Sequence, residues 1–191
     1  VVGLPEFYNR VIEGSTHGED KEAIIVFVHD DVFIHDWNLA VQLDLALEQY
    51  DLVGVVGSAG VPNGQPGWWH GLGHDGRALR NDAVVRSGSI NHFDPTVVRP
   101  DWYGHAPMAC DLLDGVFLAA RASRLQASHV RFDTRFMFHC YDTDFCCSAR
   151  AKGLSVGTWP IPLTHGSCGA FDGDWIKAAR KFQAKWLPGE P

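Results

Sequence analysis

The sequence predicts an α/β domain with a mixed, mostly parallel central sheet and helices on both faces. Two continuously apolar, β-branched runs, residues 23–28 (AIIVFV) and 52–56 (LVGVV), read as buried strands. A helical pattern precedes the first run and another joins the two, which is the alternation of a crossover connection. Strand and helix patterns alternate again in the last third of the chain. With 191 residues, a single domain over 1–191 is expected, burying roughly 70% of the surface its unfolded chain exposes.

The first helix is expected over Leu4 to Glu13, with Pro5 early and Phe7, Tyr8, Val11 and Ile12 at three- and four-residue spacings. Gly14 to Asp20 is a polar turn. Ala23 to Val28 has the composition of a central strand covered on both faces. Asp36 is a good N-cap for a helix whose apolar stripe is Leu39, Leu43, Leu47 and Tyr50. Leu52 to Val56 is the second strand.

Residues 57–110 break the pattern. They are dense in Gly and Pro and carry Trp68, Trp69 and Trp102, with only a weak strand at Ala83 to Arg86. This stretch is expected to form a lobe of loops or antiparallel hairpins. Its tryptophans suit either sugar stacking or a core or interface role. Asp114 to Arg121 reads as a strand, and Asp142 to Lys152 as a helix ended by Gly153. Ser155 to Trp159 is a short strand ahead of Pro160 and Pro162. Asp174 to Leu187 is an amphipathic helix with Trp175, Ala178, Ala179, Phe182 and Trp186 on one face.

Composition narrows the function. The chain carries 23 acids against 16 bases, a net charge of -7, and no basic run that could track a phosphate backbone. A nucleic-acid partner is therefore not expected. The longest apolar runs are too short to cross a bilayer, and no signal peptide is visible. Five cysteines (Cys110, Cys140, Cys146, Cys147 and Cys168) form no CxxC pair. They suit small buried hydrophobes in a reducing compartment, so a cytoplasmic location is expected.

The chemistry concentrates at His29, Asp30 and Asp31, directly after AIIVFV. In an open α/β sheet, ligands bind outside the carboxyl ends of the strands. Continued strand geometry turns residues 29 and 31 one way and Asp30 the other. An imidazole and a carboxylate on one side suit Mn²⁺, or less typically Mg²⁺; the same residues equally suit a turn cap. His165, in PLTHGSCG, follows a short strand and can turn back to the same strand ends, or remain an unliganded loop histidine. Asp142 and Asp144 lie in the first turn of a helix. Both suit the helix dipole, and Asp142 also suits a general base taking a proton from a hydroxyl.

Five segments then follow in order over residues 7 to 167: FYNRVIEG, IIVFVHDDVFIHDWN, DLVGVVG, LLDGVFLAARAS and FHCYDTDFCCSARAKGLSVGTWPIPLTHGS. Together they resemble the family 2-like glycosyltransferases of the GT-A fold, in the branch with His-x-Asp in place of Asp-x-Asp. The resemblance implies a metal-dependent transferase. It would move a sugar from a nucleotide-diphosphate donor, a UDP-sugar being expected, to a carbohydrate or other hydroxyl acceptor with inversion.

It further implies that Asp31 holds the metal, Mn²⁺ or Mg²⁺, with His29 facing the ribose or the metal and His165 completing the site. Asp30 belongs to the same donor-binding cluster. Asp114 and Gly115 would face the donor sugar and shape the acceptor site, Asp142 would be the catalytic base, and Asn9 would lie near the donor pocket. Two departures stand out: Tyr141 replaces the usual Glu beside Asp142, and 28 residues precede the cluster, so that an N-terminal part either missing or naturally shortened, with a reduced nucleotide pocket, is expected. Two rivals remain. One is a metal-dependent hydrolase built from His29, Asp31, Asp142 and His165; the other is a non-catalytic or degenerate nucleotide- or sugar-binding domain.

Overall fold

In the computed structural model, residues 2–15, 23–93, 99–167 and 169–187 are described. Cys168 and much of the turn expected over Gly14 to Asp20 lie outside them. The chain runs α1 (Leu4–Gly14), β1 (Ile24–Val28), β2 (Val32–Ile34), α2 (Leu39–Gln49), β3 (Leu52–Gly54) and β4 (Val56–Ala59). Then come β5 (His70–Leu72), β6 (Ala78–Arg80), β7 (Val85–His92), β8 (Arg99–Gly104), β9 (Met108–Ala109), β10 (Leu112–Leu113) and β11 (Phe117–Arg121). The last elements are α3 (Ala122–Ala127), α4 (Tyr141–Ala151), β12 (Val156–Thr158), β13 (Leu163–His165) and α5 (Gly173–Trp186).

The strands form two larger sheets and a small hairpin. The first sheet has the order β1-β11-β3-β12-β9; the second has β10-β4-β7-β13-β2 with β8 also on β7; β5 pairs β6 alone. Among the described residues only β3–β12 and β7–β13 are parallel pairs. The expectation of a mostly parallel sheet is therefore corrected: the architecture is mixed α/β with mostly antiparallel pairing. The cause is β11. β1 and β3 do run in the same direction on either side of α2, but β11 lies between them, antiparallel to both.

Two other expectations change in the same way. Among the described residues β1 pairs with β11 alone, so AIIVFV is an edge strand, burying Ile25 and Phe27 on one face. The run 52–56 is two strands, because the chain leaves the first sheet after Gly54 and enters the second at Val56. Its continuous hydrophobicity reflects burial in both sheets.

Helices do cover both faces of the first sheet, as the alternation of β11 makes plain. Leu118 and Ala120 point into a core shared with α1, α3, α4 and α5, through Ile12, Leu125, Phe145 and Phe182. Phe117 and Ala119 point the other way, into a core with Leu43 of α2. Each fully buried Phe or Leu contributes about 1.5–3 kcal/mol by leaving water. Under the site, Phe132 stacks on Phe145 at 3.8 Å between centroids, with Phe27 edge-on at 5.1 Å. Such pairs lock ring orientation beyond simple burial.

Helix ends follow local chemistry. Pro5 lies in the first turn of α1, where its missing N–H costs nothing. Asp36 accepts the Asn38 amide at 2.7 Å, just ahead of α2. Gly153 follows α4 with φ +80°, a left-handed position where glycine stops a helix without strain. Asp172 caps α5 by accepting the Asp174 and Trp175 amides.

The 57–110 stretch does form antiparallel hairpins, but its longest strand runs through Val85–His92, well beyond the expected Ala83 to Arg86. β7 pairs β4 with its first half, then shifts register at Gly88, whose φ of +92° places it against the Val55 carbonyl. The second half pairs β8 and β13. The stretch is thus continuous with the second sheet, and it brings His92 beside His165.

Candidate metal centre and acidic cavity

Four chain segments converge on the site: the turn after β1, the turn before β11, the first turn of α4, and the end of β13. Backbone pairing fixes them. The His29 amide donates to the Val116 carbonyl at 3.2 Å, and the Gly166 amide donates to the Asp31 carbonyl at 2.9 Å. Register pairs His165 with Val32, one residue after Asp31. The sequence gap between Asp31 and His165 is closed by the antiparallel β2–β13 ladder.

The side chains meet there. His165 Nε2 lies 3.2 Å from Asp31 Oδ1, 3.3 Å from His29 Nδ1 and 3.3 Å from the Ser167 hydroxyl. One ligand atom from each of His29, Asp31 and His165 lies within 4.8 Å of the others, a spacing that could hold a metal ion. Asp30 stands apart, exposed on the turn, and its charge acts on Tyr8 instead. The strand geometry expected to continue through 29, 30 and 31 stops at Val28, and it is the turn at Asp30 and Asp31 that sets Asp30 apart.

Protons also bear on the donor set. Tyr141 donates its hydroxyl to the Gly115 carbonyl at 3.2 Å. With that proton on the Gly115 carbonyl, the His29 tautomer that carries its proton on Nε2 donates to the same hydroxyl at 3.0 Å. That tautomer turns the Nδ1 lone pair toward His165 and Asp31, the arrangement that a hydrogen-bonded partner imposes on a metal-ligating histidine. Burial holds the His165 imidazole below its ordinary pKa, against the opposing charge of Asp31. Burial raises the Asp31 carboxyl, but a Ser167 hydrogen bond and the charges of His165 and His29 outweigh it, and the net shift is downward. A neutral imidazole beside an ionised carboxylate is the state in which both ligate. Two nitrogens and one carboxylate oxygen suit Mn²⁺ or another first-row divalent ion better than Mg²⁺.

A cavity of about 280 Å³ opens beside this cluster, with His29, His165, Asp114, Gly115, Tyr141 and Asp142 in its wall. No family model matches the chain, and no curated protein does either. The reading of the site therefore rests on its geometry.

Asp142 opens onto the cavity and accepts the Gly115 amide at 2.8 Å. Burial, then the neighbouring charge of Asp114, push its carboxyl up to about 7. Asp114 is held by both oxygens: Oδ1 accepts the Val116 amide at 2.9 Å, and Oδ2 accepts Trp68 Nε1 at 2.7 Å. Gly115 is fixed by crowding, since a Cβ there would collide with the Tyr141 hydroxyl and lie 2.9 Å from Asp142 Cβ.

Asn9 is not brought to this cavity. Its side-chain amide donates to the Phe132 carbonyl at 2.8 Å and accepts the Phe132 amide at 2.9 Å, clamping α1 to the loop before α4. Asp144 points to the other side of its helix and is completely buried, bound by Lys185 at 2.7 Å and Trp186 Nε1 at 2.8 Å. Of the tryptophans, Trp68 lines the cavity, Trp69 lies under the guanidinium groups of Arg80 and Arg86, and Trp102 is exposed elsewhere on β8. Sequence reasoning missed Ser167, and it reads Tyr141 only as a departure beside Asp142 and Trp68 only as a stacking or core aromatic, not as supports of the site. Adjacency to Asp142 and His165 was the available signal for the first two.

Proposed function

We propose that this chain is a metal-dependent glycosyltransferase of GT-A type that moves a sugar from a nucleotide-diphosphate donor to an acceptor hydroxyl. The observation that carries the reading is one cavity whose wall includes both histidines of the His29–Asp31–His165 cluster and, apart from them, the carboxyl of Asp142. Phosphate-leaving-group chemistry needs a cation on one side of the reacting centre and a proton acceptor on the other.

His29, Asp31 and His165 would hold the ion, which when bound neutralises the charge of the nucleotide diphosphate. Asp142 accepts the proton of the acceptor hydroxyl. Its raised pKa makes it a stronger base than an ordinary carboxylate while leaving a useful ionised fraction at neutral pH. The Gly115 amide fixes which oxygen of Asp142 faces the cavity. Asp114, clamped by Trp68 and Val116 beside Asp142, helps to orient the donor sugar. A separate base on the acceptor side favours single displacement with inversion. UDP is the expected nucleotide.

Among the described residues no helix is long and apolar enough to cross a membrane. A second reading keeps the same residues with water as acceptor, making a hydrolase. Asp142 beside the cluster supports it equally, and product analysis with and without added sugar acceptors separates the two. The test of the main reading is calorimetry of UDP, GDP and ADP with and without Mn²⁺. Metal-dependent binding of at least one, lost in Asp31→Ala, is expected; absence of such binding to all of them overturns the donor site.

A further inference from the structure

The cavity that holds Asp142, about 280 Å³, falls just short of the range that encloses a drug-sized ligand, about 300–1,000 Å³. It leaves little room for an acceptor body once a donor sugar is present. A second cavity of about 580 Å³ lies directly against it. Phe138, His139 and Ala170 line both, and the first two belong to the segment that leads straight into the α4 turn carrying Asp142. The two cavities thus share a wall at Phe138, and a molecule reaching from Asp142 to the larger space would pass that ring.

We propose that this second cavity is the acceptor subsite and that it takes the body of an uncharged glycan at least two sugar units long. The inference rests on the transferase reading for the word acceptor, but the glycan-binding surface stands on its own lining. That lining is amphipathic. Met137 and Phe138 are more than half exposed, at 52% and 60%, and offer apolar faces to solvent. Around them the lining mixes both signs of charge, Arg135, Lys177 and Lys181 with Asp172 and Asp174. Arg135 is paired with Asp133, Lys177 with Asp174 at 2.7 Å, and the Lys181 ammonium donates to the Arg135 carbonyl at 2.8 Å. Asp172 accepts the first amides of α5 and lies 3.6 Å from His139 Nε2.

A phosphate or carboxylate ligand would meet Asp172 and Asp174 as well as the three cations, so the lining offers no field of one sign to hold it. An alkyl chain would strip water from these charged groups and replace none of its hydrogen bonds. A pyranose has an apolar ring face for Phe138 and Met137 and hydroxyls that both donate and accept, so it matches both halves of the lining. The volume admits a disaccharide-sized body.

The experiment is amide chemical-shift mapping of the full chain, without metal or nucleotide, during titration with cellobiose, maltose, lactose and N,N′-diacetylchitobiose. At least one is expected to shift amides in residues 135–139 and 177–181. Phe138→Ala, an exposed change that leaves the core intact, is expected to weaken that binding about tenfold. Ala178→Trp, which fills the cavity, is expected to abolish it. No shifts with any of the four, shifts that map elsewhere, or unaltered binding by Phe138→Ala overturns the subsite. Preferential uptake of glucose 1-phosphate overturns its neutral character. A parallel Mn²⁺ and UDP titration of the wild-type chain keeps the two ideas separable. Disaccharide binding without metal-dependent nucleotide binding supports the subsite and counts against the transferase alone.

Discussion

The Tyr141 hydroxyl lies 3.0 Å from His29 Nε2 and, through its bond to the Gly115 carbonyl, couples the histidine cluster to the loop that binds Asp142. Tyr141→Phe removes the acceptor of the His29 proton and frees the ring to rotate or change tautomer. Loss of such an outer partner typically lowers metal affinity about 10–100-fold. Mn²⁺ affinity measured by electron paramagnetic resonance should fall within that range in the variant. Wild-type affinity would show that Tyr141 does not orient His29.

His165→Ala removes the group that touches Asp31, His29 and Ser167 together. Mn²⁺ binding is expected to drop by more than a hundredfold, whereas His92→Ala, whose Nδ1 is already bound to Asp101 at 2.8 Å, should change it less than threefold. Equal losses in the two variants would mean that the cluster is organised differently from the three-residue set.

Asp142 gives a pH prediction with a definite sign. Its folded pKa is raised to about 7 by burial and by Asp114, against an unfolded value of about 3.9. Between those values the folded chain keeps a proton that the unfolded chain has lost, so this group's contribution to stability falls as pH rises through the window and levels off above it. Asp142→Asn, which can still accept the Gly115 amide, removes that cost. Urea unfolding should show the variant more stable than wild type by about 1–3 kcal/mol at pH 8, with little difference at pH 4. Transfer activity in wild type should rise with pH through about 7, and in the variant it should be lost. A variant less stable at pH 8 would contradict the raised pKa.

The legibility of these features differed for physical reasons. Helices α2, α4 and α5 were plain because each repeats its apolar positions over eleven residues or more. The nearness of His165 to Asp31 could be anticipated because the sequence places each beyond the end of a strand, although His165 is itself the last residue of β13. The antiparallel β11 could not be, since a buried strand reads the same in either direction. Nor could β2 and β13, whose three residues are too few for an alternation to register. Asn9, a polar residue on an amphipathic helix, carried no sign that its partner was the backbone of Phe132, far along the chain.

Asp144 shows the same limit and supplies the sharpest stability test. Its place in the first turn of α4 suits the helix dipole, yet the carboxylate is completely buried and anchored to Lys185 and Trp186 of α5. Asp144→Ala leaves the Lys185 ammonium, itself only 23% exposed, with Asp133 alone. It also leaves the Trp186 indole N–H without its acceptor. Breaking one side of such a buried pair costs about 3–5 kcal/mol. Removing both charges in Asp144→Ala/Lys185→Met leaves no stranded ammonium, so urea unfolding should recover at least half of that loss. A double variant as unstable as the single one would place the cost in lost packing of α5 rather than in the unpaired charge.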